Sequence, residues 1–173
     1  MPKVIEEDNF LTNKEKEYIE KEIVNNGYFP FYWNDNQSAG DNLPYFGHIL
    51  KHRDVPDKIN SSYYFFFEDI LKRFCKKHKF KIKQVLRGCI NLTIPLDVKT
   101  GTIHEDHQIK HKQFILYLTD SKEGYTYLYN KHKLTKKIKA KKYKIACFGN
   151  QLHSSGYPSH EEKRRLTVIL TFN

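Results

Sequence analysis

"KQVLRGCINLTIP", residues 83–95, alternates with a period of two: Arg87, Cys89, Asn91 and Thr93 fall on one face, and Leu86, Ile90, Leu92 and Ile94 on the other. Successive side chains of an extended chain point to opposite faces, so the stretch predicts a strand. Its first face is mostly polar. An ordinary core would not line itself with Arg, Asn and Thr, because buried polar groups are costly without partners. The face therefore predicts a cavity.

Working outward, more strands follow. "KQFILYLTD" is apolar on both faces, and "GYTYLYN" sets Tyr125, Tyr127 and Tyr129 against Thr126 and Leu128. The tyrosine stripe reads as strand packing at least as readily as a substrate-facing surface. "KLTKKIK" and "YKIACFG" are separated by a lysine-rich turn and predict a hairpin, and "RLTVILTFN" closes the sequence. Upstream the pattern is helical. Thr12 and Glu15 form a capping box, and Tyr18, Ile19 and Ile23 make an apolar stripe that ends at Asn25-Asn26-Gly27. A second helix is predicted from about Ser61 to Lys77, with Phe66, Ile70, Leu71 and Phe74 inward. Residues 28–58 are turn-rich, with Pro30, Gly40, Pro44, Gly47 and Pro56. The expected architecture is one domain over 1–173, a β-sandwich or small barrel backed by helices. Residues 1–82 should supply helical support and substrate-side loops, and 83–173 the β core.

Composition limits the classes. The 173 residues suffice for one substantial core. No apolar run reaches the roughly 18–20 residues of a membrane span. Acidic residues in "MPKVIEEDNF" argue against a signal peptide. Three widely spaced cysteines, Cys75, Cys89 and Cys147, predict reduced thiols and a cytoplasmic setting. The net charge of +10 is concentrated in residues 131–144, "KHKLTKKIKAKKYK", which hold eight lysines and no acid. That run predicts weak, non-specific polyanion binding, since it carries no Arg and only one aromatic residue. The chain is expected to be a monomer.

Nine histidines are present. His48, His52, His78, His132 and His160 read as surface or hydrogen-bonded residues. His107 and His111 do too, with His107 pointing away from its neighbours. His104 and Asp106 differ, because two-residue spacing on an extended segment aims both side chains one way. His153, in "FGNQLHSSGYP", offers a third ligand. Two histidines and one carboxylate can hold a first-row metal on one side and leave open positions. Arg165 and Thr167 share one face of the last strand and make a clamp for a carboxylate. Arg164 competes with Arg165, but strand parity places it with Leu166, Val168 and Leu170. Arg87 reads equally as an anion-binding group or a structural ion pair.

The order of "IHEDH", "FILYLTD…GYTYLY", "FGNQLHSSGYP" and "RRLTVILTF" resembles the Fe(II)- and 2-oxoglutarate-dependent oxygenases over residues 85–173. It is most similar to the prolyl-hydroxylase-like branch and to the short oxygenases carried by bacteriophages. The resemblance implies a double-stranded β-helix (jelly-roll or cupin-like) core packed against N-terminal helices. It implies Fe(II) on His104, Asp106 and His153, with 2-oxoglutarate and O₂ as co-substrates. It implies Arg165 and Thr167 on the distal carboxylate, Tyr117 hydrogen-bonded to the same carboxylate, and Asn91 lining the pocket. The implied substrate is a protein side chain of prolyl type, ahead of a small molecule or a nucleobase. Two other classes fit the residues less well. A cupin-like metal hydrolase or isomerase has no need of a dicarboxylate clamp, and a non-catalytic polyanion-binding module has no need of an intact triad.

Overall fold

A computed structural model describes residues 3–38, 40–53, 55 and 57–173. Pro56, one of the predicted turn residues, lies outside them. Two antiparallel sheets face one another, with helices behind the larger one.

The first helix, α1 (Asn13–Ile19), begins at the predicted capping box. The Glu15 amide donates to Thr12 Oγ1, and the Thr12 amide donates to Glu15 Oε2 at 2.8 Å. Such a cap contributes about 1 kcal/mol. A π-helical turn (Glu20–Val24) follows and ends at Asn25. Ile19 and Ile23 are buried as expected, whereas Tyr18 is 38% exposed and packs against Phe66. The second helix, α2 (Tyr63–His78), buries Tyr64, Phe67, Ile70, Leu71, Phe74 and Cys75. The predicted inward Phe66 is only partly buried, and its neighbour Phe67 takes the core position. Full burial of each such aromatic side chain contributes about 1.5–3 kcal/mol. None of the helices among the described residues is long and apolar enough to cross a membrane.

The strands are β1 (Ile5–Glu7), β2 (Tyr32–Asn34), β3 (Tyr45–Lys51), β4 (Val85–Thr93), β5 (Lys112–Tyr117), β6 (Thr126–Asn130), β7 (Lys133–Ile138), β8 (Ile145–Gly149), β9 (His153–Ser155) and β10 (Arg165–Phe172). The large sheet runs β1-β8-β5-β10-β4-β3-β2 and the small one β7-β6-β9. The N-terminal part thus contributes three strands to the large sheet as well as helices. In particular, β3 crosses a region whose Pro and Gly content predicts turns. It forms because Gly47 and His48 pair with Asn91 and Ile90 of β4, a tertiary partner that local signals do not show.

The lysine-rich segment is not a hairpin. β7 pairs with β6 in the small sheet, while β8 pairs with β5 and β1 in the large one. Residues 139–144 cross between sheets because Ile138 and Ala140 drop into the core between them. Tyr143, at φ 65°, then turns the chain so that its amide donates to the Tyr117 carbonyl at 2.7 Å. Nor do these lysines all reach free into solvent. Lys136 and Lys144 pair with Glu6 at 2.8 and 3.1 Å, Lys141 with Asp8 at 3.2 Å, and Lys142 with Glu20 at 2.8 Å. The acidic N-terminal segment neutralises much of the run.

This clasp makes a pH prediction. The lysines hold the carboxyls of Glu6 and Glu20 below their ordinary value, against burial, which alone would raise them. A carboxyl depressed in the folded state stabilises that state above its unfolded value and loses the contribution as pH falls. The urea midpoint should therefore drop as pH falls below about 4.3, the ordinary Glu value. Glu6→Gln with Glu20→Gln should flatten that drop. An unchanged acid limb in the double variant would show that the clasp contributes nothing.

Candidate metal centre and anion pocket

The interior between the sheets has two halves. On the β8 side it is apolar, filled by Ile115, Tyr117, Leu128, Ile138, Ala146 and Phe148. On the β4 and β10 side it is a narrow cleft. Antiparallel register builds its floor: Asn91 pairs with Thr167 and Thr167 with Tyr117, while Arg87 pairs with Thr171 and Thr171 with Gln113. The cavity predicted from the polar face of β4 is thus present, with Arg87 and Asn91 among its walls.

His104, Asp106 and His153 meet in this cleft, with one ligand atom of each within 4.8 Å of the others. Backbone pairing places them. The His104 amide donates to the His153 carbonyl at 3.0 Å, and the His153 amide returns the bond at 2.9 Å. His153 lies on β9, where it pairs with Leu128 of β6 rather than standing in a turn after β8. The two imidazoles have the same tautomer. His104 Nδ1 donates to the Thr102 carbonyl at 2.9 Å and His153 Nδ1 to the Gln151 carbonyl at 3.0 Å. A carbonyl only accepts, so each Nδ1 carries a proton and each Nε2 is the ring nitrogen left to face a metal. Burial pushes the His153 imidazolium down to about 4, so the ring is neutral at pH 7.

Asp106 is 7% exposed. Burial alone would raise its carboxyl, but Arg87, His153, His104 and Arg53 together hold it below the usual carboxylate range. Its Oδ2 has no hydrogen-bond partner and lies 3.6 Å from His153 Nε2. A buried carboxylate oxygen without a donor, facing two bare imidazole nitrogens, is a chemical fit for a divalent cation. Metal–nitrogen bonds of about 2.0–2.1 Å need only small rotations to close these three groups on one ion.

Arg165 lies on the cleft wall and is 3% exposed. Its guanidinium donates to Thr126 Oγ1 at 3.2 Å and stacks over the Tyr117 ring at 5.5 Å. No described carboxylate pairs with it, and its Nε has no partner. Burial pulls the guanidinium below its ordinary value, and Tyr117 and Tyr157 oppose that. Arg164 instead donates to the Val24 carbonyl at 2.9 Å, at the end of the π-helical turn. Thr167 faces the cleft beside Arg165, and Asn91 presents an unpartnered Oδ1 there. Tyr117 lies beneath the pocket rather than in it, with its hydroxyl 2.7 Å from Thr126 Oγ1. Gly124 makes room for this arrangement, since a Cβ there would meet Arg165 Cδ at 2.5 Å.

The sequence reading did not single out Thr126, Gln113, Tyr45 and Gln37 as cleft residues, nor Arg53 as a partner of Asp106. Thr126 was the only one with a legible signal, because the alternation of β6 puts it opposite the tyrosines. Tyr125, Tyr127 and Tyr129 face away from the cleft interior. His107 turns from the metal-capable cluster and bonds Thr171 Oγ1 at 2.7 Å, and His48 is bonded to Ser61 and the Pro30 carbonyl. All three cysteines are unpaired and buried.

No protein-family model matches the sequence, and no curated protein does either. Solved structures do match. An oxidoreductase of the 2OG-Fe(II) oxygenase family from Burkholderia pseudomallei superposes with a TM-score of 0.77 at 10% identity, over 98% of this chain and 84% of that one. A prolyl hydroxylase from Trichoplax adhaerens, in complex with a hypoxia inducible factor peptide fragment, gives 0.66 at 13% identity, over 98% and 82%. A prolyl-4-hydroxylase from Pseudomonas putida gives 0.66 at 11% identity, over 98% and 92%. The chain therefore has the double-stranded β-helix fold of the 2OG-Fe(II) oxygenases.

Proposed function

We propose that the protein is an Fe(II)- and 2-oxoglutarate-dependent dioxygenase that hydroxylates a C–H bond and releases succinate and CO₂. One observation carries the reading. Asp106 Oδ2, Asn91 Oδ1, Gln113 Oε1 and Arg165 Nε are all buried, all lack partners, and all belong to residues lining one cleft. Orphaned buried polar atoms are rare and costly, so their convergence marks a place built for polar ligands. One end of the cleft suits a cation and the other a carboxylate, which is what a metal chelated by a dicarboxylate requires. A hydrolase or isomerase using the same three ligands leaves buried Arg165 without a purpose.

In this reading the Nε2 atoms of His104 and His153 and Oδ2 of Asp106 hold iron on one side. When bound, iron with 2-oxoglutarate and O₂ supplies oxidative decarboxylation coupled to hydroxylation. Arg165 and Thr167 orient the distal carboxylate, with Tyr117 and Thr126 fixing the guanidinium. Ile115 and Ile169 form the apolar wall between the two ends. Gln37 and Tyr45 also line the cleft. The substrate we place first is a protein side chain of prolyl type, supported by the two prolyl hydroxylases of the same fold. Weak polyanion binding by the lysines of 131–144 outside the clasp, a monomeric state and a cytoplasmic setting belong to the same proposal.

The test is anaerobic addition of Fe(II) and 2-oxoglutarate. A weak visible charge-transfer band should develop, and oxygenation with a peptide library should then release succinate. Absence of the band at saturating concentrations of both would refute the dioxygenase reading. Turnover of small molecules or nucleobases but not peptides would move the substrate class.

A further inference from the structure

Two arginines converge on the metal-capable carboxylate. Arg87 projects from β4, and Arg53 comes from the loop after β3. Arg53 Nη2 lies 3.1 Å and Arg87 Nη1 3.2 Å from the same atom, Asp106 Oδ1. Oδ2 takes neither bond and is left facing His153. The carboxylate is thus oriented from one side, with one oxygen engaged and the other presented.

We infer that Arg53 and Arg87 are positioning residues that select Asp106 Oδ2 as the single metal donor and hold the bound metal in its divalent state. This rests on the iron-site reading above. Two charge-assisted bonds draw electron density toward Oδ1 and block rotation that would bring both oxygens to the ion. The two guanidinium charges also lie within one carboxylate of the metal. Raising the metal from a double to a triple positive charge beside them costs more than it would beside neutral groups, and the buried setting weakens screening. Outer partners of metal ligands tune affinity and potential through orientation and charge together. Arg53 adds a structural consequence: the rim loop is tied to a metal ligand, so its position and that of the carboxylate are coupled.

The experiment compares wild type with Arg53→Gln, Arg87→Gln and Arg87→Lys. Co(II) binding is measured first by calorimetry. A wild type that binds no divalent metal refutes the iron-site reading, and the inference with it. Given binding, the Fe(III)/Fe(II) midpoint is measured by mediated redox titration without 2-oxoglutarate. Each Gln variant should raise the ferric-to-ferrous ratio at fixed potential about tenfold, equivalent to about 59 mV for a one-electron couple. Arg87→Lys keeps the charge but not the fork, so it should keep the wild-type potential while weakening Co(II) binding. A merely structural role would not lower the potential in the Gln variants and spare it in the Lys variant. Unchanged midpoints in both Gln variants overturn the inference. If Arg87→Gln does not fold, Arg53→Gln, on a partly exposed loop side chain, decides the matter alone.

Discussion

Asp106→Asn is expected to abolish tight metal binding and turnover while the protein stays folded. The carboxylate is the one anionic ligand in the cluster, and His104 and His153 are neutral donors. Loss of an outer partner of a metal ligand typically costs about 10–100-fold in affinity. Loss of the charged ligand itself should exceed that range. Asn is the informative replacement because its carboxamide keeps the shape and still offers an oxygen to Arg53 and Arg87. Ala would leave two guanidiniums facing an empty volume and confuse lost stability with lost binding. Even Asn weakens two charge-assisted bonds, so a stability loss of about 1.5–3 kcal/mol is expected. Glu105→Ala is the control: it is adjacent in sequence, but its side chain is exposed. Calorimetry with Co(II), together with a thermal melt, makes the comparison. Full metal affinity in Asp106→Asn would show that the cluster is not the metal site.

The placement of Asp106 was legible because parity on an extended segment is local physics. Residues two apart share a face whatever surrounds them. The same holds for Arg165 over Arg164 and for the polar face of β4. What the sequence did not show depended on partners distant along the chain. The stretch 45–51 becomes a strand only because β4 lies beside it, and Gly47 with the preceding Pro44 points to turns. Two lysine-flanked strands look like a hairpin until Ile138 and Ala140 are seen to fill the space between sheets. Four of the eight lysines pair with Glu6, Asp8 and Glu20, more than 100 residues away. Arg53 sits in a loop with no periodicity, so nothing local marks it as a partner of a residue 53 positions on. The motif position of Tyr117 implies a bond to the co-substrate carboxylate, and in the ligand-free structure its hydroxyl is engaged with Thr126. Burial of both neighbours, rather than motif position, decides what a hydroxyl can reach.

Arg165→Met should produce an opposed pair of effects, which is why it tests the anion pocket well. In wild type this guanidinium is buried without a described carboxylate partner, an arrangement that costs stability until an anion arrives. Met fills comparable volume without charge, so the ligand-free variant should melt at the same temperature as wild type or slightly above it. Binding should collapse. A bound dicarboxylate that loses its buried cation is left uncompensated by about 3–5 kcal/mol, which is about 100- to 5,000-fold at 1.36 kcal/mol per tenfold. Wild type should gain about 2.7 kcal/mol of stability when 2-oxoglutarate and a redox-inert divalent metal are supplied at 100 times the dissociation constant. With the metal present throughout, adding 2-oxoglutarate at the same concentration should leave Arg165→Met at its metal-only melting temperature. Two comparators fix the register of the last strand. Arg164→Ala removes one bond to the Val24 carbonyl, costs about 0.5–1.5 kcal/mol of stability, and leaves 2-oxoglutarate binding intact. Tyr117→Phe leaves Thr126 still bonded to Arg165, so it should weaken binding by only about 1 kcal/mol. A melt of Arg165→Met that still rises with 2-oxoglutarate, or an Arg164→Ala that no longer does, would mean that the buried guanidinium serves something other than the co-substrate.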